Sequence, residues 1–111
     1  MGWRILYYSD KVRKQVLALP AGILADYLRI AELLEEHGVE LGMPHSRAFG
    51  QGLFELRPRG KEGIGRVFYC TAVGNTIVVL HSFVKKTQET PKKELDVAHK
   101  RAKEVKQHGK I

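Results

Sequence analysis

Two neighbouring stretches limit the fold most. RVFYCTAV (residues 66–73) and TIVVLHSFV (76–84) are apolar at odd and even positions alike, and Gly74-Asn75 between them has the chemistry of a tight hairpin turn. Successive side chains of a strand point to opposite faces. A strand that is apolar on both faces therefore needs cover on both sides, so this hairpin is expected at the centre of a sheet sandwiched between other elements. With 111 residues the chain can build one such core, and a single domain over residues 1–111 is expected.

The rest of the chain supplies the cover. WRILYY (3–8) has the composition of a short strand, and Ser9 or Asp10 suits the start of a helix. DKVRKQVLAL places Val12, Val16 and Leu19 on one helical face. Pro20 interrupts and suits the first turn of a second helix, whose apolar stripe runs through Ile23, Leu24, Tyr27, Leu28, Ala31 and Leu34 to a stop at Gly38. These two helices form a hairpin. Residues 39–52, rich in glycine and with Pro44, read as a loop. LFELRP then alternates, with Phe54 and Leu56 on one face and Leu53, Glu55 and Arg57 on the other. Thr90-Pro91 reads as cap and first residue of a last helix with one narrow apolar stripe, Leu95, Ala98, Ala102 and Val105. The expected fold class is α+β, in the order β-α-α-β-β-β-α, with an antiparallel sheet packed on the helix hairpin and a C-terminal basic helix.

Charge is unevenly placed. The formal net charge is +7, and residues 85–111 hold nine Lys or Arg against four Asp or Glu. Such a bias favours anionic partners. Arg57 and Arg59 end one strand, Arg66 begins the next, and Lys85 and Lys86 end the third. If the three strands are neighbours, these groups meet on one rim with Glu55 among them. The alternative for RPRGKEG is a soluble turn, and for the charged helix a solvated face. His81 reads as a hydrogen-bonded core histidine. The other four histidines show no metal spacing, and neither P-loop, GxSxG, CxxC nor paired-carboxylate motif is present, so no metal and no cofactor are expected. Cys70 alone permits no internal disulfide and sits in an apolar run. With no signal-peptide pattern and no run long enough to span a membrane, a cytoplasmic protein without a membrane partner is expected.

The element order, the strand pair LFELRPRGK…GRVFYC and above all VVLHSFVKKTQETPKKELDVAHKRAKEV resemble the RelE/ParE superfamily of bacterial toxins, in its HigB-like, phage-related branch. There a strand ending in Phe-x-Lys-Lys-x-x-x-x-Pro, followed by a helix with Glu, Ala and Arg at set spacing, recurs. Here these are Phe83, Lys85, Lys86, Pro91, Glu94, Ala98 and Arg101. The resemblance implies a RelE-like fold and the toxin of a type II toxin–antitoxin pair, a metal-independent, ribosome-dependent mRNA endonuclease. It implies a helix-turn-helix antitoxin, the ribosome and mRNA as partners, with operator DNA reached only through the antitoxin.

By position the resemblance implies catalytic roles for Arg57, Arg66 and Lys85 or Lys86. Glu55 stands where RelE carries a lysine, as a base or as the group that orients Arg57. Arg59, Lys61, Lys92, Lys93, Lys100 and Arg101 are expected to contact RNA or the ribosome. A gyrase-directed inhibitor of the ParE kind and a non-catalytic RNA-binding module are the alternatives.

Overall fold

The structure, a computed structural model, describes residues 2–85 and 90–108. Its elements are β1 (Arg4–Tyr7), α1 (Asp10–Leu17), α2 (Ala21–His37), β2 (Ser46–Ala48), β3 (Leu53–Leu56), β4 (Arg59–Gly60), β5 (Gly63–Ala72), β6 (Thr76–Lys85) and α3 (Lys92–His108), with one 3-10 turn over Gly38–Glu40. The sheet runs β1-β6-β5-β3-β2, and β4 is appended to β5.

The two strands that are apolar throughout, β5 and β6, lie side by side in the interior of this sheet. Gly74 and Asn75 both take positive φ in the turn between them, which glycine and asparagine tolerate. On one face Leu56, Val67, Tyr69, Ile77 and Val79 pack against Val12, Val16, Ile23, Tyr27, Ile30 and Leu34 of the helix hairpin. On the other, Leu53, Phe68, Cys70, Val78 and Leu80 pack against Ala98, Ala102 and Val105 of α3. The small residues at 98 and 102 let the helix backbone come close to the sheet. The sheet thus has helical cover on both sides, as its composition demanded.

Three expectations need correction. The sheet is mixed, not antiparallel: β1 runs parallel to β6, from Arg4 opposite Thr76 to Tyr7 opposite Val79. A long connection such as residues 8–75 permits that pairing, which no short turn does. The segments read as loop and turn also contribute two short strands, β2 against β3 and β4 against β5. Finally, α3 begins at Lys92, with the Pro91 carbonyl accepting from the Leu95 amide, while the Thr90 hydroxyl donates to Glu55 and does not cap the helix.

Ser9 caps α1, its hydroxyl accepting from the Val12 amide at 3.2 Å. Gly38 ends α2 at φ +59 with the Trp3 ring lying where a Cβ would stand. Pro20 offers α2 no side-chain cap, and Glu62 serves instead from the β4–β5 turn, accepting from the Gly22 amide at 3.0 Å. One turn on, Asp26 accepts from the Arg59 amide at 2.7 Å. RPRGKEG is therefore pinned to α2, and Gly60 is needed because the Gly22–Ile23 backbone comes within 2.6 Å of where its Cβ would be.

Both pinning carboxylates titrate low. The Gly22 amide holds Glu62 below its ordinary value. Burial opposes the charge on Asp26, but the Arg59 amide and the Arg29 guanidinium outweigh it. A depressed folded pKa contributes stability that is present above the unfolded value, near 4, and lost as pH falls through the folded value. The urea midpoint should accordingly drop as pH is taken from about 6 to about 3, and Asp26→Asn should flatten part of that drop. A profile identical in the variant would show that Asp26 does not contribute.

Candidate anion site under the third helix

Residues directly opposite on neighbouring strands share a face. Arg47 of β2 stands opposite Glu55 of β3, Glu55 opposite Phe68 of β5, and Phe68 opposite His81 of β6. Two residues along β5, Arg66 stands opposite Phe83. Phe68 belongs to the core beneath α3, so this whole row lies on the α3 face. The three strands expected to be neighbours are neighbours, and Glu55, Arg57 and Arg66 lie on their α3 face.

A bulge adjusts β6 here. Phe68 pairs with His81 but Tyr69 pairs with Val79, so Leu80 is the extra residue. Val79 enters the hairpin core, while Leu80 packs under α3 and His81 bonds Glu94 of α3 at 2.5 Å. The Leu80 carbonyl accepts from the Arg101 guanidinium at 2.7 Å, and that guanidinium lies 5.0 Å from the Tyr8 ring centroid. The Tyr8 hydroxyl is in turn bonded to Glu104. Arg101, expected at an RNA surface, thus also supports the bulge and ties Tyr8, the residue after β1, to α3.

Arg66 and Glu55 are the centre of the site, only 2% and 1% exposed. Arg66 Nε lies 3.4 Å from Glu55 Oε2, and Thr90 Oγ1 donates to the same oxygen at 3.2 Å. Glu55 therefore orients Arg66, where Arg57 was the expected partner. The Arg66 guanidinium is not fully used: among the described residues Nη1 has no partner, Nε has only its 3.4 Å ion-pair contact with Glu55, and Arg57 Nε is likewise buried without a hydrogen bond. Burial lowers the Arg66 pKa, Glu55 works against that, and Arg57, Arg47 and Arg59 add to the lowering. Three further guanidinium groups thus crowd one that is already desolvated. A buried donor without a partner costs about 1–3 kcal/mol, more when charged. Such an arrangement suits an anion that supplies the missing acceptors.

The other expected residues are more scattered. Arg59 and Lys61 are exposed around the β4–β5 turn. Lys92 and Lys93 are exposed on the first turn of α3, with Lys92 3.6 Å from Asp96. Lys100 is exposed further along the helix. Lys85 ends β6 opposite Ile64, but its side chain and the whole of Lys86 lie outside the described residues. Sequence reasoning missed Arg47, which sits in the segment taken for a loop. The only hint was the isolated SRAF between glycine-rich turns.

His81 is hydrogen-bonded, as its place in a strand suggested. Cys70 is buried and its thiol is pushed up to about 11 by burial, which suits a small core residue. Among the described residues no cluster of three His, Cys, Asp or Glu is placed to hold a metal ion, and no helix is long and apolar enough to cross a membrane.

Fold and site together define a small α+β protein with three helices and a mixed sheet, whose α3 face carries a crowded arginine cluster around one carboxylate. The profile of the family described as phage derived protein Gp49-like (DUF891) matches residues 14–103, and the chain belongs to that family. No curated protein shows significant similarity to it.

Proposed function

We propose that the chain is the toxin of a type II toxin–antitoxin pair and acts as an endoribonuclease on mRNA at the ribosome. The observation that carries this reading is Arg66, a buried guanidinium whose Nη1 has no hydrogen-bond partner among the described residues and on which the positive charges of Arg57 and Arg47 act. Membership of a Gp49-like family, one often associated with such toxins, supports it, as does the basic balance of the chain.

Cleavage of RNA by its own 2′-OH requires an in-line nucleophile, charge stabilisation on the phosphorane and a proton for the leaving oxygen. Arginine keeps its charge and can hold two phosphate oxygens at once. In this reading Arg66 and Arg57 hold the phosphorane oxygens, and Glu55 keeps the Arg66 plane in place. Lys85 or Lys86 transfers the proton, a lysine among like charges being the easier to deprotonate. Arg59, Lys61, Lys92, Lys93 and Lys100 face RNA or the ribosome. A helix-turn-helix antitoxin covers the site, and operator DNA is met only through it.

The test is a map of RNA 5′ ends after brief induction in cells. New ends clustered within translated frames are expected. Growth arrest without new ends would overturn the reading. A second reading has one observation in its favour: Arg66 and Glu55 are so deeply buried, and so nearly neutralise each other, that the pair also suits a purely structural role. That would leave a gyrase-directed inhibitor on the same kind of fold, for which a DNA-damage response without new RNA ends is the expected sign.

A further inference from the structure

A cavity of about 490 Å³ lies between α3 and the turn at Gln51, lined by Gln51, His99, Lys100, Ala102, Lys103 and Lys106. Among the described residues that line it there is no carboxylate. Elsewhere several helix cations are neutralised locally: Asp10 serves Arg13 and Lys14, Asp26 serves Arg29, and Asp96 serves Lys92. Among the described residues no ion pair includes Lys100, Lys103 or Lys106, and Glu104 of the same helix is turned away to Tyr8. Like charges at positions 100, 103 and 106 stand near one another on the helix and work against its stability. The Lys106 ammonium donates to the Gln51 carbonyl at 3.2 Å, which sets one wall of the cavity and leaves two of its protons for a ligand.

This cavity lies further along α3 than the Arg66 site: Glu94 beside His81 is near the helix start, and the lining residues run from His99 to Lys106, about 8–18 Å on at the helical rise. The surface between them is suited to a strand. Arg47, which bears on Arg66, also lies 4.9 Å from the Phe49 ring centroid, and Phe49 leads into the turn that carries Gln51. Phe49 itself packs into the core under α3 and carries Arg47 over its ring, so arginine and lysine pocket form a positive track of the kind a nucleic-acid backbone asks for.

We propose that the cavity at Lys103 and Lys106 is a second phosphate site, which holds the substrate RNA strand at a point remote from the scissile bond. The inference rests on the RNA-cleaving reading above. It gives the protein a grip on the strand that adds affinity without taking part in the chemistry.

The experiment measures binding of a 2′-O-methyl oligoribonucleotide, which cannot be cleaved, across a salt series. The strand is long enough to span about 18 Å of helix. The wild type, the double variant Lys103→Ala/Lys106→Ala and a control on the opposite face, Lys11→Ala/Lys14→Ala, are compared, with a dinucleotide as short probe. Loss of two phosphate contacts should flatten the slope of log K against log salt by about 1.4 for the long strand. The dinucleotide and the control double variant should show no change.

An unchanged slope in Lys103→Ala/Lys106→Ala, or an equal change in the control, would overturn the second site while leaving the nuclease reading standing. A wild type that binds no oligonucleotide at any salt, and yields no new RNA ends in cells, would overturn both. Normal oligonucleotide binding by the Lys103/Lys106 variant, together with lost capture of an acidic peptide, would assign the cavity to a protein partner and overturn the proposal.

Discussion

Arg66→Ala should abolish growth inhibition, with RNA cleavage falling about a hundred- to a thousandfold, the usual loss when one preorganised charge-stabilising group is removed. The sequence alone places Arg66 on a polar face, where alanine should leave the fold intact. Its burial against Glu55 alters that expectation. Truncation leaves a carboxylate in a dry environment, and breaking a buried pair from one side costs about 3–5 kcal/mol. Loss of toxicity in Arg66→Ala is therefore ambiguous by itself. The double variant Arg66→Met/Glu55→Leu removes both charges at similar volume and should recover most of the lost stability, because an apolar replacement of a buried pair is often neutral. It should remain inactive. Thermal unfolding beside a growth assay separates the effects: a stable, inactive double variant supports a chemical role, and a stable, fully toxic one removes Arg66 from the site.

The second large effect is a dependence on translation. The isolated protein should cut a naked transcript poorly and the same transcript efficiently in a translating extract. The described groups at the site are guanidiniums and one carboxylate that is already committed to Arg66 and Thr90. Arg66 is only 2% exposed, so the reaction needs a substrate already held in line. Orientation of this kind supplies about 7–11 kcal/mol in favourable cases, far more than one small positive face can impose on flexible RNA. A ribosome-bound codon can supply it. The charge reversals Lys93→Glu and Lys100→Glu should weaken ribosome binding and flatten its salt dependence. Equal cleavage of naked and translated transcript, or cleavage that survives a block of initiation, would replace this reading with that of a free nuclease.

How far the site was legible depended on the range of the signal. The central hairpin and the helix pair declare themselves by local periodicity, and so does the α3 stripe at Ala98, Ala102 and Val105. The alternation in LFELRP was enough to set Glu55 and Arg57 apart from Leu56. What local pattern does not carry is pairing. Nothing within WRILYY says that it lies parallel to residues seventy positions on, and a three-residue edge strand such as SRA is too short to show a period. The partner of Glu55 followed from cross-strand register, which the sequence leaves open between Arg57 and Arg66. The bulge at Leu80 was invisible for the same reason, and with it the structural use of Arg101. Thr90 was a sound cap by type, but Glu55 competes for its hydroxyl from across the sheet.

The parallel pairing of β1 with β6 also sets a clock. Arg4 meets Thr76 and Tyr7 meets Val79, so the first strand made is the one that waits longest for its partner. At about 5–20 residues per second of synthesis, that wait is roughly 4–14 s. Closing so long a loop costs about 4 kcal/mol on the logarithmic scale, and the compensating contacts arrive only once β6 is complete. Tyr8 cannot meet Arg101 until later still. The nascent chain thus has its helix hairpin before β1 can join the sheet, and α3 packs over the opposite face later than both.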